Sequence, residues 1–374
     1  MRQHTPARPV PEDAPGTAAA WVERIRRKVT EAGRTVRLME FCGTHTMAIA
    51  RSGLRGLLRG AVDLVSGPGC PVCVTADWEI DRMLAYCTVP GAIVATYGDL
   101  LRVPGSRGSL ARSRAEGADV RVVYSALDAV QMARENPDRP VIFLGVGFET
   151  TAPAAALAVK TAREEGLRNF CVHSAHKRTP PAMRALLAEG GLRLDGILCP
   201  GHVSTVLGSD AFAFLPAEYG VPAAVAGFEP LDILMAVDHL ADAALGRRPA
   251  DLWNGYTRWV RPEGNRRAQA LLDEVFRPCD ARWRGLGQLP ESGLRLREAF
   301  APFDAEVRFP AEVDEPHGRP GCRCGDVLRG ALSPAGCPLF GRACTPERPV
   351  GPCMVSGEGA CAAWYRYRPG EEVG

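Results

Sequence analysis

The chain has 374 residues, 46% hydrophobic and 24% charged, with 45 basic residues against 43 acidic and a net charge of +2. That composition supports two or three globular cores, and without a basic stripe interleaved with aromatics it excludes a nucleic-acid surface. No run approaches the roughly 18 apolar residues of a membrane span. The first 16 residues are rich in Pro and polar side chains and lack an apolar signal stretch, so residues 1–18 read as a disordered lead and the protein as cytoplasmic. In that reducing setting thirteen cysteines point to metal or thiol chemistry rather than to a disulfide scaffold.

Taken in order, Trp21, Val22, Ile25 and Val29 have helical spacing over 21–32, and the apolar run 36–41 predicts a strand. It ends in Cys42-Gly-Thr-His-Thr-Met-Ala-Ile49, where Thr44 or Thr46 is expected to cap a helix. Cys42 then sits where a strand meets a helix N-terminus, a position that lowers a thiol pKa and favours the metal-ligating thiolate. His45 alone reads as a surface or cap residue, and beside Cys42 it becomes a site candidate.

A second strand at 62–65 runs into Ser66-Gly-Pro-Gly-Cys-Pro-Val-Cys-Val74. Gly67 and Gly69 permit unusual backbone conformations and Pro68 and Pro71 fix φ, so the sulfurs of Cys70 and Cys73 face one point on a loop. That geometry suits a metal ion or a reversible disulfide.

Strands at 92–96, 120–124 and 141–146 alternate with helices at 77–86, 110–115 and 127–134. A further series follows: helix 154–164, strand 170–173, helix 182–189, strand 196–198, apolar run 223–226 and helix 231–244. Such alternation predicts parallel, helix-covered sheets with active residues at the carboxyl ends of strands. Cys42, the Cys70/Cys73 loop, Tyr97-Gly-Asp99 and Gly147-Phe-Glu-Thr-Thr151 all fall at such ends. Glu149 and Thr150 are expected to cap the helix that follows them. His173, His176 and His202 lie just past strands and read as loop hydrogen-bonding residues. Gly-Phe-Glu recurs at 147–149 and 227–229, too short a match to establish a duplication.

After Gly246 the pattern breaks down, and residues 315–321 open a cysteine-rich tail. Cys322, Cys337, Cys344 and Cys361 read C-x14-C-x6-C-x16-C, interrupted by Cys324 and Cys353. Six thiols in a 40-residue span, rich in Pro and Gly turns, need a metal to order them. The all-sulfur set without C-x-x-C knuckles suits an iron–sulfur cluster better than zinc, although four thiolates permit either. Cys87, Cys171, Cys199 and Cys279 stand singly and read mostly as small buried hydrophobes.

Phe41-Cys-Gly-Thr-His-Thr-Met47, Gly67-Pro-Gly-Cys-Pro-Val-Cys-Val-Thr75, Gly98-Asp99, Gly147-Phe-Glu-Thr-Thr-Ala-Pro153, Gly201-His-Val-Ser-Thr205, Ala226-Gly-Phe-Glu-Pro230 and the cysteine series together resemble the HypD family of hydrogenase maturation proteins. The resemblance spans residues 37–367. It implies two parallel-sheet α/β lobes facing a cleft, at 19–137 with Cys42, Cys70 and Cys73 and at 138–246, then a 4Fe–4S region at 247–374.

It further implies a scaffold on which the Fe(CN)2CO unit of nickel–iron hydrogenases is assembled. Its partners would be a HypC-type chaperone and HypE, and indirectly HypF and the hydrogenase large subunit, with the chain a monomer in transient complexes. By resemblance, Cys42, Cys70 and Cys73, with His45 nearby, handle iron and contact the chaperone. Cys322, Cys337, Cys344 and Cys361 hold the cluster, and Cys324 with Cys353 form a redox pair beside it. The competing readings are a stand-alone iron–sulfur thiol–disulfide reductase exchanging through Cys70 and Cys73, and a zinc-stabilised binding protein.

Overall fold

A computed structural model describes residues 16–188, 190, 192–313 and 320–367. Most of the lead expected at 1–18, and most of the tail's opening at 315–321, lie outside the described residues. Ala18 already begins the helix Ala18–Glu31, whose first turn is capped by the Thr17 hydroxyl accepting from the Ala20 N–H at 3.2 Å.

Strands β1 (Val36–Glu40) and β2 (Val62–Ser66) pair in parallel, with Glu40 opposite Ser66. The chain then builds a separate parallel sheet from β3 (Ile93–Thr96), β4 (Asp119–Val122), β5 (Val141–Gly145) and β6 (Phe170–Ser174), in the order β4-β3-β5-β6. It returns to the first sheet with β7 (Gly196–Cys199), β8 (Ala223–Val225) and β9 (Leu252–Asn254), giving β2-β1-β7-β8-β9.

The α/β class with parallel sheets is therefore as expected, whereas the linear division at 137/138 is not how the sheets form. Every residue of β7 is buried, so the strand needs a place with neighbours on both edges and helices on both faces. The edge of β1 opposite β2 supplies it, with Leu38 opposite Gly196. Likewise β9 belongs to the first sheet, so that sheet continues past residue 247.

A two-stranded antiparallel hairpin follows, β10 (Phe276–Trp283) and β11 (Gly287–Leu296). It pins both halves of the molecule: Trp283 bridges to Thr75 after the first sheet's thiol loop, and Gly293 bridges to Lys177 after β6. Trp283 is fully buried, stacks on Phe148 at 5.9 Å and donates its indole N–H to Ser292 Oγ at 2.9 Å. One continuous core joins Met39 and Phe41 of the first sheet, Val94 and Ile142 of the second, Trp283 of the hairpin, and Cys324 and Cys353 of the tail. Among the described residues, no helix is long and apolar enough to cross a membrane.

Two expected details change. Glu149 does not cap its own helix, which begins at Ala152 with Thr151 at the cap position. Its buried carboxylate instead accepts from the N–H and hydroxyl of Thr179, at 2.7 and 2.8 Å, at the start of the helix Thr179–Ala188. His173 lies inside β6 rather than past it, with Nδ1 3.1 Å from Tyr86 Oη and Nε2 3.1 Å from Glu79 Oε1, and His176 Nδ1 lies 3.0 Å from Ser174 Oγ. Glu79, His173 and Glu306 are close enough to hold a cation. Lys177 already answers Glu79 at 3.8 Å, and Arg82 and Arg295 answer Glu306 at 3.1 and 3.2 Å, so the group reads as a charge-balanced network.

Candidate thiol and metal centre

The in-register pairing of β1 with β2 delivers two cysteine loops to one place. The N–H of Gly67 donates to Glu40 O and that of Gly43 to Gly69 O, both at 2.8 Å. The approach is so close that a Cβ on Gly69 would stand 2.3 Å from the Cys42 nitrogen, which is why glycine is required there. Cys42 itself occupies the N-cap position of the helix Gly43–Arg51, in place of the threonine expected to cap it. Cys70 occupies the same position on the four-residue helix Pro71–Val74, with Pro71 at its first turn. The Cys70 and Cys73 sulfurs are joined as a disulfide, one of the two states open to this motif.

Burial overrides the helix terminus at Cys42. The residue is 6% exposed, and loss of water together with the Glu358 carboxylate pushes its thiol up to about 12, against the N–H groups of His45 and Thr44 that favour the thiolate. The thiol is thus held in its neutral form.

His45 is fully buried and turned toward the β8 loop, where its Nε2–H donates to Gly227 O at 3.0 Å and its ring packs on Phe228 at 4.8 Å. That bond fixes the tautomer and leaves Nδ1 as a lone-pair nitrogen, with no hydrogen-bond partner among the described residues. Desolvation lowers the imidazole to about 4, so His45 is neutral and able to accept.

Several residues near Cys42 had no site role in the sequence reading. Thr44 donates to Glu358 Oε1 at 2.6 Å and lies 3.4 Å from His202 Nδ1. His202 packs against the same ring as His45, its centroid 4.2 Å from that of Phe228. Glu40 is fully buried, accepts from the Thr46 hydroxyl at 2.7 Å and is raised to about 7 by desolvation.

The tail supplies the second group. Cys322, Cys324, Cys337, Cys344, Cys353 and Cys361 all line one small cavity, closed by Leu339, Phe340 and Met354. The Val350 N–H points at Cys344 Sγ at 3.3 Å, and a Cβ on Gly351 would stand 2.9 Å from Cys322 Sγ. Of the single cysteines, Cys171 and Cys199 are buried, and Cys87 and Cys279 are half-buried.

The stretch 352–358 links the two groups. Pro352 O is 4.0 Å from Cys73 Sγ, Cys353 lines the cysteine cavity, Ser356 donates to Asp99 at 2.8 Å, and Glu358 accepts from Thr44. Cys42, the Cys70/Cys73 loop and Asp99 therefore meet one segment. The loop at 147–151 is directed elsewhere, to Trp283 through Phe148 and to Thr179 through Glu149.

The structure thus defines a parallel α/β protein that brings a disulfide-forming cysteine pair and a third buried thiol to the segment that also lines a six-cysteine cavity. A family model described as "HypD: Hydrogenase formation hypA family" matches residues 16–368. The chain belongs to the HypD family. It is 51% identical over 341 residues to "Hydrogenase maturation factor HypD" of Azotobacter vinelandii, covering 89% of this chain and 90% of that one. It is 49% identical to "Hydrogenase expression/formation protein HupD" of Azotobacter chroococcum mcd 1, covering 94% of each. With "Hydrogenase maturation factor HypD" of Escherichia coli (strain K12) it shares 42% identity over 365 residues, covering 96% of this chain and 97% of the relative.

Proposed function

We propose that the chain is a hydrogenase maturation factor that holds iron at Cys42, Cys70 and Cys73 while the Fe(CN)2CO unit is assembled, and that its tail carries a 4Fe–4S cluster. The observation that carries this reading is the stretch 352–358, which touches the dithiol, the cysteine cavity and the Thr44 beside Cys42. Family membership and the relatives' names support the hydrogenase context.

The donor sets fit the chemistry. Soft thiolates suit low-spin iron carrying cyanide and CO, and a buried neutral thiol at Cys42 becomes a ligand when iron displaces its proton. Reduction of the Cys70–Cys73 bond by two electrons frees two sulfurs for iron, and reoxidation withdraws them. In the tail, Cys322, Cys337, Cys344 and Cys361 would hold the cluster in an apolar cavity where a backbone N–H already points at sulfur. When bound, the cluster supplies electrons one at a time. Cys324 and Cys353, in the same cavity, form the pair that stores two.

The partners in this reading are a HypC-type chaperone and HypE at the iron site, HypF as the source of the group HypE delivers, and the hydrogenase large subunit as recipient. The protein works in the cytoplasm as a monomer in transient complexes, with iron held where the two lobes face a cleft. Complementation tests the reading: in a strain lacking its own factor of this family, the wild-type chain restores nickel–iron hydrogenase activity and Cys42→Ala does not. Full activity with Cys42→Ala contradicts it.

A further inference from the structure

β2 is the outermost strand of its sheet, and among the described residues no strand pairs with its far edge. The ladder with β1 fixes which backbone groups lie there. The Val36 N–H donates to Ala61 O and the Gly67 N–H to Glu40 O. In a parallel ladder this turns the backbone of residues 61, 63, 65 and 67 toward β1 and that of residues 62, 64 and 66 outward. Two outward groups are answered: the Val62 N–H donates to Leu58 O at 2.9 Å, and Leu64 O accepts from Arg55 Nε at 3.0 Å. Val62 O and the Leu64 N–H meet no partner among the described residues, although the two residues are only 2% and 3% exposed. Buried backbone donors and acceptors are seldom left unpaired.

Both residues line a cavity of about 350 Å³, walled on one side by residues 49–60 and on another by the tail through Leu332 and Trp364. Cations outnumber anions around it. Arg37, Arg55 and Arg59 line the cavity, against Asp63 in the wall and Glu40 behind Arg55 at 3.9 Å. Arg37 pairs with Asp63 at 3.2 Å and Arg55 lies over the Trp364 ring at 4.9 Å. The Arg59 side chain has no hydrogen bond or ion pair among the described residues.

We propose that the outer edge of β2 takes an extended acidic segment of a partner protein as an added parallel strand. One residue of a parallel strand gives its N–H to one carbonyl and takes a bond from the N–H two residues further on, and Val62 O with the Leu64 N–H is that pair. An antiparallel strand would need both the N–H and the carbonyl of Leu64, and Arg55 already holds the carbonyl. A small anion would answer Arg59 but could not donate to Val62 O, whereas a peptide supplies donor, acceptor and carboxylate together. Parallel addition also aims the segment's carboxyl end the way β2 runs, through Ser66 toward the Cys70–Cys73 loop.

The test titrates the full-length protein into the peptide Val-Glu-Val-Glu-Val carrying a neutral fluorophore, reads anisotropy, and follows amide exchange at Leu64 by mass spectrometry. Saturable binding is expected, with exchange at Leu64 slowed at least about tenfold at saturation. Arg59→Glu should weaken binding about tenfold and Arg59→Gln about threefold, and the same peptide with Lys in place of Glu should not bind. Absence of saturable binding, equal binding by folded Arg59→Glu protein, or binding that leaves Leu64 exchange unchanged overturns the inference. Exchange at Leu64 that is slow without peptide and is speeded by deleting residues 368–374, or by dilution, assigns the edge to those residues or to a second copy, and overturns it as well.

Discussion

Replacing Gly69 with Ala tests whether the two cysteine loops are locked together as the geometry requires. The added Cβ would stand 2.3 Å from the Cys42 nitrogen, 2.5 Å from its Cα and 2.6 Å from the Phe41 carbonyl carbon. All three are backbone atoms, so no side chain can rotate away. Carbon atoms settle at about 3.5–4.0 Å, so the loops must part by about 1 Å. Such a movement breaks the bond from the Gly43 N–H to Gly69 O. Losing that bond and stranding a buried donor costs about 1–3 kcal/mol, and residual overpacking adds about 1–3 kcal/mol. The expected destabilisation is about 3 kcal/mol, read from the urea midpoint at unchanged slope. Gly56→Ala is the control: it lies in the helix Leu54–Leu57, a Cβ there meets nothing within 4 Å, and it should stabilise by about 0.5–1 kcal/mol. A Gly69→Ala cost below about 0.5 kcal/mol would refute the reasoning.

Glu40 gives a pH signature. Desolvation holds its folded pKa at about 7, above the ordinary 4.5, so the folded state binds the proton more tightly. The stabilisation Glu40 contributes is then fully present below about pH 4.5 and is lost, up to about 3 kcal/mol, as pH rises to about 7. Urea midpoints of Glu40→Gln measured at pH 5 and pH 8 should lose this slope. Glu358→Gln removes the charge that, after burial, holds the Cys42 thiol up, so the pH profile of Cys42 alkylation should move to lower pH. A profile that stays put or rises contradicts that cause. Cys337→Ala or Cys344→Ala should abolish the visible absorption of an iron–sulfur cluster in anaerobically purified protein, and Cys42→Ala should keep it.

The elements themselves were legible because buried parallel strands leave continuous apolar runs: 62–65 and 141–146 in the sequence became Val62–Ser66 and Val141–Gly145. Their assembly was not. Nothing in the periodicity of Gly196–Cys199 says that it pairs with β1 rather than β6, because strand order follows from long-range burial, which no local pattern encodes. The cysteines announced themselves by number and spacing, and all six of the tail do line one cavity.

Their surroundings stayed hidden. Glu358 and Thr44 are 314 residues apart and His202 is 158 from Thr44, so proximity arises only on folding. The thiol expected to be acidic at a helix terminus is instead held near 12, because the terminus is buried under the tail's Glu358 segment. The two Gly-Phe-Glu motifs do different work: Phe148 stacks on Trp283, while Phe228 lies against His45 and His202.

The central claim is that iron is handled at Cys42, Cys70 and Cys73. Anaerobic purification with a HypC-type chaperone, followed by infrared spectroscopy where metal-bound cyanide and CO stretch, tests it most directly. The account predicts bands from both ligands in the wild-type complex and none in Cys42→Ala. Absence of those bands from a cluster-loaded wild-type complex whose Cys70 and Cys73 exchange with a disulfide substrate would contradict it, and would mark the protein as a thiol–disulfide reductase.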